Sequence, residues 1–146
     1  ILDYANVELR RLTQSRYQFI RRLEAKGNSG QGLDLNVIDY QTGLSRDIKS
    51  LSGGESFKAA LALALGLSSM IQSYAGGIEL NALFIDEGFG TLDDESLNQA
   101  IEVLSDLKSD NKVIGIISHV GEIKDRIDAY IEVKKGNNGS LLTVRV

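Results

Sequence analysis

The stretch that decides the fold is residues 82–117, ALFIDEGFGTLDDESLNQAIEVLSDLKSDNKVIGII. Its two ends fall in short apolar runs, Leu80–Ile85 and Lys112–Ile117, which have the length and composition of buried strands. A helix is predicted between them, because Leu97 and Leu104 share one helical face and acidic residues stand at its start, where the helix dipole favours them. A strand, a helix and a second strand predict a parallel pair joined by a right-handed crossover. The predicted fold class is therefore α/β.

Outside this stretch the sequence predicts a buried helix and further extended segments. Residues Phe57–Tyr74 are rich in Ala and Leu almost all the way round, which is typical of a buried helix. Residues Leu33–Asp39 alternate as a strand does, and Gln41–Gly43 forms a turn into a second extended segment. Near the end of the chain, Gly136–Gly139 separates two alternating apolar runs, which predicts an antiparallel hairpin.

The first 26 residues contain no Gly or Pro and carry a heptad pattern. Two interpretations stay open, a coiled coil interrupted by Arg16 and an ordinary amphipathic helix on the core. The Gly, Ser, Asn and Gln run at Gly27–Gly32 ends the pattern. We therefore predict a coiled-coil base helix over residues 1–26 and a globular unit over 27–146. Because neither Met nor a helix cap opens the chain, we expect a piece of a longer protein. The heptad positions are Leu2, Ala5, Leu9, Leu12, Arg16, Phe19 and Leu23.

Composition excludes several classes of protein. The chain has 146 residues, 42% hydrophobic and 25% charged, which is ordinary for a globular domain. Its net charge of −4 excludes a uniformly basic nucleic-acid binder. The absence of Cys excludes disulfides and thiolate metal sites, and no apolar run approaches the ~20 residues of a bilayer span. A cytoplasmic location without membrane contact is predicted.

The segment Leu51–Glu55 lies at the start of the buried helix and allows two interpretations. Ser52 and Glu55 fit a capping box, so a well-capped helix start is the plain structural one. Gly53 and Gly54, however, weaken a helix by ~1 kcal/mol each relative to Ala and favour close backbone approach. Free N–H groups at a helix start, together with the Ser hydroxyl, make a phosphate site the functional alternative.

Two strand ends carry the remaining candidate chemistry. Asp86 and Glu87 follow the first buried strand, where α/β sheets place their ligands. Asp86 could hold Mg²⁺ and Glu87 could orient or deprotonate a water, although a solvated acidic turn is common. His119 follows the second strand, so both strand ends meet at one edge of a parallel sheet. A lone His is more often structural, and it is this convergence that favours a site.

These segments, taken in order, resemble four motifs of ABC-type ATPases. Leu51–Glu55, Asp86-Glu87, Gly90–Asp93 and Ser118-His119 resemble the signature motif, Walker B, D-loop and H-loop. The connecting sequence narrows the resemblance to the carboxy-terminal lobe of SbcC-type ATPases, which are relatives of the SMC proteins. It covers most of Leu51–Val146.

The resemblance implies the carboxy-terminal half of an ABC-type ATPase head. That half has a mostly parallel sheet flanked by helices, an antiparallel hairpin and a preceding coiled-coil base helix. No Gly-x-x-x-x-Gly-Lys-Ser/Thr loop occurs in the sequence. In such proteins that loop lies in an amino-terminal lobe, which is therefore an implied partner. Two heads would sandwich ATP and Mg²⁺ and regulate an SbcD-type nuclease that acts on double-stranded DNA ends and hairpins.

The resemblance also implies a role for each candidate residue. Asp86 would hold the Mg²⁺ shell, Glu87 would polarise the attacking water, and His119 would contact the γ-phosphate. Asp93 would connect the two sites of the dimer. The γ-phosphate bound by the opposite head would be faced by Ser52, Gly53 and Gly54.

Other classes of protein stay open from the sequence. An SMC or RecN-like structural ATPase is the closer alternative, and an ABC transporter ATPase shares the same motifs. A binding half-module without activity is a third. DNA contact is equally open, since the basic side chains that could provide it also fit a solvated face. These are Arg10, Arg11, Arg21, Arg22, Lys134 and Lys135.

Overall fold

The computed structural model describes residues 1–22, 35–74, 82–108, 113–136 and 139–146. Single 3₁₀ turns at Ile48–Ser50 and Phe89–Thr91 precede the second and third helices. None of the helices in the described residues combines the length and apolar character that crossing a bilayer requires. The main elements are α1 (Leu2–Leu12), β1 (Tyr17–Arg21), β2 (Leu35–Asp39), β3 (Leu44–Asp47), α2 (Gly53–Tyr74), β4 (Ala82–Asp86), α3 (Asp94–Lys108), β5 (Val113–Ile117), α4 (Gly121–Lys124), β6 (Tyr130–Gly136) and β7 (Gly139–Arg145).

The helix predicted over residues 1–26 is wrong beyond Leu12. Gln14 and Ser15 have φ values of 51° and 62°, which no right-handed helix accommodates. The chain then continues as β1, whose Tyr17 and Phe19 point into the core while their neighbours do not. The heptad pattern misled because Phe19 fits both a helical seam and a strand of period two. Residues 23–26, and with them the predicted domain boundary, lie outside the described residues.

Strands β1, β2 and β3 form an antiparallel sheet in that order. The turn predicted at residues 41–43 joins β2 to β3, and Gly43 adopts a φ of 70° that suits glycine. Asn6 of α1 fastens this sheet to the helix, since its side-chain amide both donates to and accepts from the backbone of Phe19. Leu33, the first residue of the predicted strand, lies outside the described residues.

Helix α2 starts at Gly53, directly after the predicted cap residue Ser52, and ends at Tyr74 as predicted. Its buried face carries Ala59, Leu61, Ala62 and Leu65 against the core, and Gly66 lets α1 approach closely. A Cβ at Gly66 would lie 2.4 Å from the backbone nitrogen of Ala5. The opposite face of α2 is not buried as predicted: Ala60, Ala64 and Leu67 are exposed there.

The decisive stretch folds as predicted into β4, α3 and β5. The prediction that both strands are buried is wrong, because only one face of the pair packs on the core and no residue of either strand is buried. Residue Phe84 pairs with Gly115 in a parallel register. Among the described strands this pair supplies the parallel part of the predicted sheet, because the other strands are joined as antiparallel neighbours. Ile85 and Ile116 pack toward the core, whereas Phe84 on the other face is 71% exposed.

Strands β6 and β7 form the predicted antiparallel hairpin. Cross-strand partners Ile131 and Val144, and Val133 and Leu142, form apolar pairs that stay exposed. The fold is thus a mixed α/β unit with a parallel pair, antiparallel strands and flanking helices, which confirms the predicted class.

Candidate functional site

The carboxyl ends of β4 and β5 bring Glu87 and His119 into direct contact. The Nδ1 atom of His119 lies 2.8 Å from Oε2 of Glu87, and both side chains are more than half exposed. The backbone N–H of Glu87 donates to the carbonyl of Ile117 at 2.9 Å, which continues the parallel pairing past the strand end. The predicted convergence of these two residues at one sheet edge is confirmed.

An unusual backbone turn directs Glu87 away from the strand. Glu87 has a φ of 61° and Gly88 a φ of 97°, so two successive residues lie in the left-handed region. Any Cβ at Gly88 would lie 2.6 Å from the ring of Phe57, which itself packs against Phe89 with ring centroids 4.8 Å apart. The turn after β4 is therefore locked against α2.

Asp86 ends β4 with an exposed side chain, in register with Ile117 of β5. The described residues contain no group of three or more His, Cys, Asp or Glu side chains that could hold a metal ion by themselves. A single carboxylate such as that of Asp86 suits Mg²⁺ better than a metal that needs an all-protein cage. Mg²⁺ keeps several waters and binds through one or two carboxylates and substrate phosphates. Asp86 fits that requirement.

The start of α2 is a capping box, as the sequence predicts. The backbone N–H of Ser52 donates to Oε2 of Glu55 at 2.9 Å, and the N–H of Glu55 donates to Oγ of Ser52 at 3.4 Å. Gly53 and Gly54 form the first turn, whose N–H groups have no partner within the helix. Both interpretations of this segment are structurally compatible, because the cap leaves those N–H groups free.

The loop 88–93 links the sheet edge to the start of α2. A Cβ at Gly53 would lie 3.2 Å from Cβ of Thr91, and a Cβ at Gly90 would lie 3.6 Å from Nε2 of His119. Asp93 caps α3, since its carboxylate accepts from the N–H of Ser96 at 2.7 Å, and this bond lowers the pKa of Asp93. The loop thus touches two of the predicted site segments.

An open polar cleft of about 600 Å³ lies in front of the first turn of α2. Lys58 lines it and donates from Nζ to Oε1 of Gln99 at 2.7 Å. Burial lowers the pKa of Lys58, although nearby carboxylates oppose that shift. The other lining residues are Thr13, Gln14, Arg16, Tyr17, Gln41, Ser52, Gly53, Gly54, Glu55, Thr91, Asp93, Glu95 and Ser96.

Sequence reasoning missed a polar cluster that adjoins the cap through Glu55. We call it the Tyr17 cluster, and its members are Arg16, Tyr17, Asp39, Arg46 and Glu55. Arg16 binds the buried Asp39 through two nitrogens, at 3.1 and 3.3 Å. The hydroxyl of Tyr17 donates to Oε1 of Glu55 at 2.6 Å and accepts from Nη2 of Arg46 at 2.6 Å. The interruption of the heptad pattern by Arg16 was the one signal of this cluster.

The cluster shifts the titration of its members. The hydrogen bond from Arg16 lowers the pKa of Asp39 despite burial. Burial, and then the hydrogen bond to Glu55, raise the pKa of Tyr17 to about 12. Burial opposes ionisation of Glu55, but hydrogen bonds from Tyr17 and Ser52 and the charge of Arg46 outweigh it and lower the pKa of Glu55. At neutral pH the cluster therefore contains two cations, two carboxylates and a protonated phenol.

Comparison with solved structures shows that the chain has the fold of SMC head domains. A Smc head domain of Pyrococcus furiosus, solved with the C-terminal domain of ScpA, matches 98% of this chain and 34% of its own with a TM-score of 0.69 and 18% identity. The SMC head domain of Thermotoga maritima matches 100% of this chain and 47% of its own with a TM-score of 0.63.

Sequence comparison then identifies the family. A family model described as SbcC/RAD50-like, Walker B motif, matches residues 16–106. The SbcC subunit of the SbcCD nuclease of Vibrio cholerae serotype O1 is 52% identical over 143 residues, 97% of this chain and 14% of that protein. Its counterpart in Staphylococcus aureus (strain JH9) is 52% identical over 134 residues, which cover 92% of this chain and 13% of that protein. The chain belongs to the SbcC/RAD50-like family and spans about one-seventh of these relatives.

Proposed function

We propose that this chain is the carboxy-terminal lobe of the ATPase head of an SbcC-type nuclease subunit. The observation that carries the proposal is the 2.8 Å contact between Glu87 and His119 at the ends of two parallel strands. The loop from these strand ends reaches Gly53 at the start of α2 through Thr91. A sheet edge with a paired carboxylate and imidazole, and a helix start with free N–H groups, can contact phosphate at two separate places.

Glu87 and His119 act as a pair in the proposed reaction. Oε2 of Glu87 is engaged by Nδ1 of His119, which leaves Oε1 to accept a proton from an attacking water. Nε2 of His119 faces the loop at Gly90 and could donate to a γ-phosphate oxygen when both ring nitrogens carry a proton. The left-handed φ of Glu87 holds the carboxylate in this position.

Asp86 is the proposed metal-binding residue. Mg²⁺, when bound, would offset the charge of the β- and γ-phosphates. Asp86 contributes one exposed carboxylate at the strand end, where it neighbours the proposed base but has a separate task. Asp86 would thus support nucleotide binding, whereas Glu87 would support the chemical step.

The start of α2 would serve a second head. Ser52, Gly53 and Gly54 face the open cleft, and their donors would meet the γ-phosphate bound by the opposite head. Asp93, which fixes the start of α3, would connect the two sites across the dimer. Because the site is completed in trans, ATP binding would favour head dimerisation.

An amino-terminal lobe is the proposed partner within the same head. No lysine-bearing phosphate loop occurs in this sequence, so the β- and γ-phosphates need a second source of donors. Two apolar faces could receive such a lobe, one on the β4–β5 pair and one on α2. Their exposed residues are Phe84, Val113 and Ile117, and Ala60, Ala64 and Leu67.

Closure of two heads would regulate an SbcD-type nuclease that acts on double-stranded DNA ends and hairpins. The base of the predicted coiled coil, at α1, is the proposed nuclease contact. Among the basic candidates for DNA contact, Arg11 pairs with Asp106 at 2.6 Å and Lys134 pairs with Glu132 at 3.2 Å. These pairs reduce the positive charge available to a phosphate backbone, so Lys135 is the stronger candidate on β6.

A structural SMC or RecN-like ATPase is the second candidate, and the SMC-head fold supports it. The 52% identity to nuclease subunits favours the SbcC type, and it does not favour a transporter ATPase. A zinc-hook Cys-x-x-Cys in the middle of a long coiled coil would separate the two candidates in the complete gene.

The proposal is tested by measuring ATP turnover of this chain alone, of the amino-terminal lobe alone, and of the two together. We expect turnover only from the mixture, since each lobe would hold half of the phosphate contacts. Steady-state hydrolysis by this chain alone, or none by a mixture that forms a stable complex, would contradict it.

A further inference from the structure

The capping box determines which donors an anion would meet at the start of α2. The N–H of Ser52 is already occupied by the carboxylate of Glu55 at 2.9 Å. The hydroxyl oxygen of Ser52 accepts from the N–H of Glu55, so the hydroxyl proton remains available. A phosphate in the cleft would therefore meet this proton and the N–H groups of Gly53 and Gly54.

The same cap places a negative charge beside the proposed phosphate position. Glu55 lines the cleft together with Ser52, and its side chain is 22% exposed. Like charges that line one cleft repel each other, and they repel more strongly where solvent is partly excluded. An acidic cap would therefore weaken phosphate binding unless neighbouring groups offset its charge.

The Tyr17 cluster supplies that offset. Oε1 of Glu55 accepts from the hydroxyl of Tyr17 at 2.6 Å and lies 3.5 Å from Nη1 of Arg16. Oε2 lies 3.4 Å from Nη2 of Arg46. The carboxylate is thus contacted by a phenol and two guanidinium groups, and Arg16 and Tyr17 line the cleft beside it.

The direction of the central hydrogen bond is fixed by the chemistry of its neighbours. Arg46 can only donate, so the hydroxyl oxygen of Tyr17 accepts from it and the hydroxyl proton must point to Glu55. Both guanidinium groups also lie over the Tyr17 ring, with that of Arg16 4.7 Å and that of Arg46 5.3 Å from the centroid. Tyr17 is 2% exposed, so its hydroxyl makes these contacts within the protein.

We propose that Tyr17 is a positioning residue for the phosphate-facing turn: its hydroxyl holds Glu55 in the cap and, together with Arg16 and Arg46, offsets the charge of Glu55 beside Ser52, Gly53 and Gly54. The inference rests on the proposed function, because it concerns the phosphate that the opposite head would present. Tyr17 itself does not touch the nucleotide.

Tyr17→Phe in the assembled head tests the role directly. The change removes one hydroxyl and leaves the ring in place, so we expect ATP-dependent dimerisation to weaken about 10-fold or more, the range for losing a hydrogen bond to a charged group. ATP affinity of a single head, measured in a Ser52→Arg background that cannot dimerise, should change less than about twofold. Tyr4→Phe is the matched control, because the hydroxyl of Tyr4 donates to Ser73, remote from the cap.

A rescue variant separates charge offset from general damage to the fold. Glu55→Gln keeps an amide oxygen for the N–H of Ser52 but removes the charge that Tyr17 offsets. The double variant Tyr17→Phe/Glu55→Gln should therefore dimerise with ATP about as well as the parent head. If it dimerises as poorly as Tyr17→Phe alone, or worse, the inference is wrong.

Hydrogen exchange provides a measurement that needs no nucleotide. In the nucleotide-free head, the amide of Ser52 should exchange faster in Tyr17→Phe than in the parent or in Tyr4→Phe, because Glu55 is held less firmly. Unchanged exchange at Ser52 overturns the positioning role even if the parent never dimerises. Failure of the parent head to dimerise with ATP counts against the proposed function instead.

Discussion

Replacing Glu87 by Gln tests the division of labour between the two adjacent carboxylates. Gln keeps the size of the side chain and can still hydrogen-bond to His119, but it cannot accept a proton from water. Glu87 and His119 are 55% and 76% exposed, so their pair contributes at most ~1 kcal/mol to stability. The fold should therefore survive the change.

The expected loss lies in the chemical step. Removing a general base slows a reaction by ~10²–10⁴, which corresponds to ~2.7–5.4 kcal/mol of activation free energy. Dimer dissociation should slow as well, because in the proposed cycle hydrolysis opens the heads. Glu87→Gln should thus trap closed heads in ATP and Mg²⁺.

Three measurements on the assembled head test this. Single-turnover hydrolysis gives the rate of the chemical step, ATP titration gives the nucleotide affinity, and light scattering gives the lifetime of the dimer. Asp86→Asn should instead weaken Mg²⁺ and nucleotide together and should not trap dimers, since metal binding needs its charge. Glu102→Gln, an exposed carboxylate on α3, is the matched control and should leave all three unchanged. Equal loss of ATP affinity in Glu87→Gln and Asp86→Asn would show that both carboxylates bind metal and that the base lies elsewhere.

Three further predictions concern the helix start, the turn and the cluster. Ser52→Arg should leave ATP binding to a single head intact and abolish ATP-dependent dimerisation, because its side chain would fill the cleft; dimers by light scattering would contradict this. Gly88→Ala should destabilise the head by about 2–4 kcal/mol in thermal unfolding, because Gly88 has a positive φ and lies close to an aromatic ring. The control Gly121→Ala, whose Cβ would contact nothing within 4 Å, should change the free energy of unfolding by no more than ~0.5 kcal/mol. Asp39 has a lowered pKa in the folded state, so its contribution is complete above its unfolded pKa of ~3.9 and is lost as pH falls through the lower folded value; the melting-temperature difference between parent and Asp39→Asn should therefore shrink below pH ~4.

The apolar faces that remain exposed affect how the chain should be expressed. Cross-strand pairs such as Val133 and Leu142 are about two-thirds exposed on the hairpin, and Phe84 is more so on the parallel pair. Contiguous apolar surface of this kind marks a contact region or an aggregation risk. Co-expression with the proposed amino-terminal lobe is therefore the sounder route to soluble material.

Local sequence determined the elements whose signals are short-range. The strand, helix and strand of residues 82–117 were predictable because apolar runs and a helical face each depend on residues a few positions apart. The capping box of Ser52 and Glu55 was predictable for the same reason. The contact of Glu87 with His119 followed from one topological rule, that parallel strands end at the same edge.

Only the tertiary structure decided where α1 ends and which side chains form the Tyr17 cluster at the cap. The segment Tyr17–Arg21 fits a helical seam and a strand alike, and its antiparallel pairing with residues 35–39 selects the strand. The hydrogen bond from Tyr17 to Glu55 joins residues 38 positions apart, and no local pattern encodes it. Charged side chains such as Arg16 and Asp39 look like solvated surface in a sequence. Burial among partners of opposite charge, which only the folded chain brings together, turns them into a neutral cluster.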